Sequence, residues 1–284
     1  MTVIGDALLD VTVRPTAPIR PGADAPAEVH VGCGGQGANL AVRLARRGVR
    51  VELVCGLADD HPASLVTDAL RAEGVEIRAV RVDATGTVVV LVDAAAERTM
   101  LSQRSPFTAS LSEGSPAPAG WLVLSGYLFL EPEASALAAV AASAVRRVLV
   151  GCAVPDASVD AWRASVRAAN PDLVIVNADE AARLGPLEDV AGGVVVTAPD
   201  QVSASVGGVS ARHRLPDGPP PVDTTGAGDA FAAALVARLR REAWPPRSDV
   251  LQASLAEASR LATQVAQVPG AQTRVDAESA QVPA

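Results

Sequence analysis

Lysine is absent from this 284-residue chain, and all 24 of its basic side chains are arginine. That excludes a Schiff-base lysine and a P-loop lysine, so any phosphate chemistry must use arginine, backbone N–H groups or a metal ion. Aromatic residues make up only 2% of the chain. Its core must therefore be built from Ala, Val and Leu, which suits helices packed on an inner parallel sheet. The three cysteines, Cys33, Cys55 and Cys152, form no Cys-x-x-Cys pair. An odd number at wide spacing argues against a disulfide framework and a structural zinc site, and sets reduced, cytoplasmic thiols as the expectation. No apolar run reaches the roughly 20 residues needed to span a bilayer. Met1–Asp6 enters a strand with no basic or long apolar leader before it, so neither a signal peptide nor a membrane partner is expected. The net charge of −8 comes with no basic stripe, which disfavours nucleic acid as a partner.

The length suits one core with a small appendage. Short apolar runs bounded by turn formers read as strands: Thr2–Ile4, Val51–Val54, Leu122–Leu124, Val148–Val150, Leu173–Val176 and Val194–Val196. Between them, Ala38–Arg47, Ala63–Glu73, Glu133–Val145, Val159–Ala169 and Ala230–Arg241 carry i, i+3, i+4 apolar spacing. Strands alternating with helices predict an α/β chain with a mainly parallel sheet. Two segments break the pattern, 11–31 and 78–102, where extended runs such as Val88–Val92 have no crossover helix after them. They read as a small β lid over the carboxyl edge of the sheet, where open α/β sheets bind ligands, or as a plain antiparallel extension. The expected division is a core of 1–10, 32–77 and 103–275, the lid, and a flexible tail at 276–284. Proline-rich stretches at Ser115–Ala119 and Pro216–Pro221 read as loops.

The most informative segment is Pro221-Val-Asp-Thr-Thr-Gly-Ala-Gly-Asp-Ala-Phe231, which runs into a helix. Gly226 and Gly228 permit a tight turn against a ligand. A helix start leaves unpaired N–H groups at a positive dipole end, which is an anion site. Asp229 placed there would repel a phosphate unless it faces the attacking hydroxyl while the amides face the phosphoryl group. A base beside an anion cradle is what phosphoryl transfer to an alcohol requires. The competing reading is an Asp that merely caps the helix, but the run is far longer than a cap needs.

Asp223–Phe231 resembles the C-terminal signature of the ribokinase-like (PfkB) carbohydrate kinases. Gly34-Gly-Gln-Gly-Ala-Asn39, continuing to Gly48, resembles their N-terminal signature, and weaker similarity extends from Gly5 to about Ala271. The resemblance implies a three-layer sandwich with a β lid, and ATP with Mg²⁺ as cofactors. It gives Asp229 as the base, with Gly226, Ala227 and Gly228 binding the transferring phosphoryl group. Gly34, Gly35 and Asn39 would contact sugar hydroxyls, as would Asp10, the better match to the family's aspartate, supported by Asp6. Arg98, placed on the lid, reads either as a contact to the substrate or the phosphates or as a solvated strand-edge charge. Asn177-Ala-Asp-Glu180 matches an Asn-x-x-Glu motif, so Asn177 and Glu180 would position the water shell of Mg²⁺. By itself this motif reads first as a helix N-cap with acidic first-turn residues, ahead of a metal role. Thr197 and Thr225 complete the expected cofactor-binding set. Asp223 and Thr225, with Gly270-Ala271, lie where some members bind K⁺.

The chain also departs from the family pattern. Pro199 stands in the nucleotide loop where glycine is common, and Gly151–Ala157 lacks the usual Asp-x-Asn-x-Arg. A nucleoside kinase, using Trp121, Tyr127 or Phe129 to face a base, is the nearest alternative. A non-catalytic sugar- or nucleotide-binding regulator is another, since fold does not fix function. The strand lid offers exposed edges for a homodimer.

Overall fold

The computed structural model describes residues 1–93, 98–111 and 120–275. The tail at 276–284 and the stretch at 115–119 lie outside the described residues. In chain order the elements are β1 (Thr2–Ile4), β2 (Leu8–Pro15), β3 (Ala27–Gly34), α1 (Gln36–Arg46), β4 (Glu52–Leu57), α2 (His61–Ala72) and β5 (Glu76–Arg81). There follow β6 (Thr87–Val92), β7 (Arg98–Gln103), β8 (Trp121–Ser125), α3 (Ala136–Ala141), β9 (Arg146–Val150), α4 (Val159–Ala169), β10 (Leu173–Asn177) and α5 (Ala178–Leu184). The chain ends with β11 (Gly193–Thr197), β12 (Gln201–Val206), β13 (Val209–Arg214), α6 (Ala227–Leu239) and α7 (Ser248–Val265).

The large sheet has the order β13-β12-β11-β10-β9-β8-β1-β4-β5. From β5 to β11 the neighbours are parallel, and β12–β13 closes that edge as an antiparallel hairpin. Alternation along the strands divides their apolar side chains between two cores. Val3, Val123, Ile175 and Val195 pack with the residues of α1, α6 and α7, while Ile4, Leu122, Leu124 and Val174 pack with those of α3 and α4. The result is the expected three-layer sandwich. Because α6 lies between the sheet and α7, its side chains from Ala230 to Ala237 are all buried. Ala at five of those eight positions, the others being Phe231, Leu235 and Val236, lets the helix sit close to its neighbours.

Chain direction explains where the site lies. From β1 the sheet grows through β4 to β5 on one side and from β8 to β11 on the other, so connections diverge at β1/β8. Open α/β sheets bind ligands at the carboxyl ends of strands at such a switch point. Asp6 follows β1, Ser125 ends β8, Gly151 follows β9, Asn177 ends β10 and Thr197 ends β11.

The second sheet, β3-β2-β6-β7, is the lid. Its boundaries differ from the sequence expectation. Glu76–Arg81 pairs in parallel with β4 inside the large sheet, so the second lid segment begins at Thr87 and not at residue 78. The first lid segment begins earlier, because Leu8 already pairs with Gly34. Registered partners share a face, so Asp10, Thr12, Val88 and Val90 point one way and Val11, Val13, Val31 and Val89 the other. Val88, Val90 and Val92 are buried, whereas Val29, Val31 and Leu101 on the opposite face are exposed.

Two helices also differ from expectation. Glu133–Val145 yields only Ala136–Ala141. The 18-residue α7 has no counterpart among the expected helices, because Ser, Thr and Gln interrupt its apolar stripe of Leu251, Leu255, Ala258, Leu261 and Val265.

Candidate active site

The start of α6 is set by Gly226, whose backbone is left-handed at φ 75°. A Cβ there would stand 2.7 Å from the carbonyl oxygen of Ala271, so a side chain is excluded by both conformation and space. No side chain caps this helix. Among the described residues, no acceptor lies against the amides of Gly226 and Gly228. Ala227 differs from expectation. Its N–H is turned back to the carbonyl of Thr224 at 3.2 Å, a tight turn that withdraws it from the cradle.

Asp229 occupies the third helical position and does not cap. Its Oδ2 accepts a 2.8 Å hydrogen bond from Nδ2 of Asn39 on α1. Loss of surrounding water pushes the carboxyl up to about 7, against the Asn39 hydrogen bond and the Arg43 charge, which both favour the ionised form. The negative charges of Asp6 and Glu180 add to the rise. A helix N-terminus favours a carboxylate by only ~0.3–1 kcal/mol, and here desolvation wins. A carboxyl that titrates near neutrality is tuned for proton abstraction.

Asp229, Gly226 and Gly228 line a cavity of about 160 Å³ with Gln36, Gly151, Asn177, Glu180 and Thr197. Gln36 gives the cavity a rigid floor. Its amide donates to the Gly151 carbonyl at 2.7 Å, and its oxygen accepts from Ser125 Oγ at 2.7 Å and from the Gly126 amide at 3.1 Å. Asn177 and Glu180 face the cavity but form a reciprocal capping box, with bonds of 2.8 and 3.0 Å. The helix-cap reading of this pair therefore holds. Burial raises the Glu180 carboxyl. Thr197 lines the same cavity, and Pro199 sits in the turn closed by the Ala198 amide on the Gln201 carbonyl at 2.9 Å.

A neighbouring cavity of about 260 Å³ is lined by Asp6, Leu8, Arg104, Phe107, Tyr127 and Glu131, among others. Arg104 is ion-paired to Asp6, and its guanidinium stacks 3.9 Å from the centre of the Tyr127 ring. Glu131 is held by the amides of Phe107 and Thr108 at 2.9 and 2.8 Å. Ser125 links the two cavities, because its hydroxyl lies 3.4 Å from Asp6 and 2.7 Å from Gln36.

Several expected site residues take other roles. Asp6, not Asp10, lines this second cavity. Asp10 accepts from Thr12 Oγ1 at 3.0 Å on the lid, and burial raises its carboxyl. Gly34 and Gly35 make room for the protein's own chain: a Cβ would meet the Asp10 carboxylate at 2.9 Å and the Asp6 carbonyl at 2.7 Å, respectively. Asn39 is 7% exposed and holds Asp229 while accepting from Gln272 at 3.0 Å, so it orients that carboxyl and does not line the second cavity. Arg98 reaches the signature loop, bonding Asp223 at 3.2 Å and Thr224 at 2.8 Å, and is absent from the lining of both cavities. Asp223 accepts from the Thr225 amide and hydroxyl at 2.9 and 2.5 Å and from the Gly270 amide at 3.0 Å. Gln36, Ser125, Arg104 and Gln272 carry structure at the site without having been singled out by the sequence. Gln36 lies inside the N-terminal signature, and Arg104 continues the two-residue alternation from Arg98.

A model of the pfkB family carbohydrate kinases matches residues 1–278. The chain belongs to the PfkB family of carbohydrate kinases. It is 31% identical to a fructokinase of Klebsiella pneumoniae over 84% of this chain and 87% of that one. The fold is shared with a probable sugar kinase of Rhizobium etli, at TM-score 0.79 and 20% identity over 98% of this chain and 96% of that one. It is also shared with a Cryptococcus neoformans ribokinase solved with ADP, at TM-score 0.72 and 22% identity over 95% and 94%. The kinase is thus a carbohydrate kinase of ribokinase-like fold that phosphorylates a sugar with ATP.

The Asn39 hydrogen bond lowers the Asp229 carboxyl, so removing it should raise that group further. In the pH profile of kcat/KM, the acid limb should have its midpoint near 7 and move upward in Asn39→Ala. A limb that stays in place would show that this hydrogen bond does not tune the base.

Proposed function

We propose that the kinase transfers the γ-phosphoryl group of ATP to a hydroxyl of a small neutral sugar, with Asp229 as general base. The observation that carries this reading is the near-neutral Asp229 carboxyl sharing one cavity with the Gly226 and Gly228 amides. The acceptor oxygen forms a bond to the γ-phosphorus as the bond to the bridging oxygen of ADP breaks, and the hydroxyl proton passes to Asp229. The two amides meet the charge spread over the phosphoryl oxygens. Gln36 and Ser125 hold the floor between acceptor and nucleotide, and Thr197 borders the nucleotide side. Mg²⁺ bound with the nucleotide would neutralise phosphate charge. The oxygen donors of Glu180 and Asn177 suit it through water, since Mg²⁺ keeps several waters.

The second cavity supports a neutral acceptor. Its cation, Arg104, is already paired with Asp6, and Glu131 is held by backbone amides. Asp6 would then accept from acceptor hydroxyls, as carboxylates selecting polyols do. The fructokinase relative makes fructose the first acceptor to test. One observation favours a nucleoside instead: Leu8, Phe107 and Tyr127 form an apolar wall that a base could cover.

We also propose a homodimer through the lid, supported by the exposed outer face of Val29, Val31 and Leu101. The free cysteines and the absence of any membrane-length apolar helix among the described residues support a cytoplasmic setting. Sedimentation should give a dimer that Val31→Lys shifts toward monomer, whereas a monomeric wild type would refute the pairing. For the chemistry, Asp229→Asn should lower turnover by ~10²–10⁴-fold in ADP release. Nucleotide affinity measured by calorimetry should stay within a few-fold. The acceptors to compare are fructose, ribose and adenosine, and near-normal turnover of the variant would refute the role of Asp229.

A further inference from the structure

The loops at 223–226 and 270–273 form the back of the anion cradle, and two arginines from elsewhere in the chain hold them. Arg98 comes from the lid, at the start of β7. Its guanidinium reaches Oδ1 of Asp223 at 3.2 Å and Oγ1 of Thr224 at 2.8 Å. Arg43 comes from α1, is fully buried, and donates to the carbonyl of Ala271 at 2.6 Å. That carbonyl is also the atom packed against Gly226.

These contacts bear on the monovalent cation that the family resemblance implies at Asp223, Thr225 and Gly270-Ala271. Such an ion needs oxygens with lone pairs to give. A carboxylate offers about four acceptor positions. Asp223 receives the Thr225 amide, the Thr225 hydroxyl and Arg98 on Oδ1, and the Gly270 amide on Oδ2. Oδ1 is therefore crowded by three donors, Oδ2 keeps a single open position, and the Ala271 carbonyl is already held by a cation. Two guanidinium charges beside the loops would also repel a third positive charge. The donor set does not fit a free monovalent ion.

We infer that Arg98 and Arg43 act as built-in substitutes for the monovalent cation, so that this kinase needs no K⁺ to organise its anion cradle. Arg98 is then a positioning residue. It acts through Asp223 and Thr225 on the backbone that presents the Gly226 and Gly228 amides. Because Arg98 belongs to the lid, the charge that braces the cradle arrives with the lid and not from solvent. This rests on the proposed role of the 226–228 backbone in holding the phosphoryl group.

The test compares wild type with Arg98→Ala in KCl and in tetramethylammonium chloride at equal ionic strength. Two quantities are read: the thermal unfolding midpoint of the unliganded protein, and the rate of ADP release with ATP, Mg²⁺ and acceptor. Wild type should show the same midpoint and the same rate in both salts. Arg98→Ala should lose roughly ten- to a hundredfold in rate in tetramethylammonium, the scale of one charged hydrogen bond. K⁺ should restore part of that rate and raise the variant's midpoint, since an ion that binds only the folded state stabilises it. A saturable several-fold activation of wild type by K⁺, or a K⁺-specific rise in its midpoint, would overturn the inference. So would an Arg98→Ala protein that K⁺ leaves unchanged in both readouts. The midpoints need no acceptor, so they decide the cation question even if no sugar is phosphorylated.

Discussion

The site depends on one carboxyl group being largely withdrawn from water while it still faces a cavity. Asp229 lies in the first turn of α6 among buried alanines, and desolvation drives its pKa to about 7. A rise from 3.8 to about 7 corresponds to ~4 kcal/mol of disfavoured charge, at about 1.4 kcal/mol for each pH unit. The fold sustains that cost by pinning the group from one side only. Asn39 donates to it at 2.8 Å and is itself held by Gln272, so the carboxyl keeps its place while its second oxygen stays available. Its ionisation weakens the fold: the unfolded group loses its proton near 3.8 and the folded group near 7, so stability falls as pH rises between them. Activity and stability pull in opposite directions at this residue, as is common where function requires strain.

Everything else at the site is arranged around that group. The parallel sheet brings Asp6, Ser125, Gly151, Asn177 and Thr197 to one edge, because each lies at the carboxyl end of a strand. α6 enters the same edge with its N-terminal amides first. Negative charge is kept from accumulating by specific pairings: Asp6 with Arg104, Asp223 with Arg98, and Glu180 in its capping box. In a chain without lysine, arginine performs each of the side-chain pairings. Its planar group can bridge two acceptors at once, as Arg98 does between Asp223 and Thr224.

Much of this was legible in the sequence. The strand–helix alternation foretold the layers, and the Asp223–Asp229 run pointed to the helix start that sets Asp229 beside the Gly226 and Gly228 amides. What the sequence concealed was which partner each polar group would choose. Asn177-Ala-Asp-Glu180 and Gly226-Ala-Gly-Asp229 both place an acid at the third position of a helix. Glu180 turns back to cap, whereas Asp229 turns away toward Asn39, 190 residues distant in sequence. That choice is tertiary, as are the preference for Asp6 over Asp10 and the docking of Arg98 on the signature loop. The lid boundary at residue 78 failed for a related reason. Glu76–Arg81 alternates like a lid strand, yet β4 captures it into the large sheet, and only pairing reveals this. α7 escaped notice because its small polar residues dilute an apolar stripe that α6 nevertheless packs against.

The central claim is that burial holds Asp229 as a near-neutral base. It can be measured without substrate by ¹³C NMR titration of side-chain carboxyls in aspartate-labelled protein, with Asp229→Asn assigning the signal. The account predicts one aspartate titrating near 7 that disappears in the variant. An Asp229 signal that titrates near 3.8, the ordinary aspartate value, would contradict it.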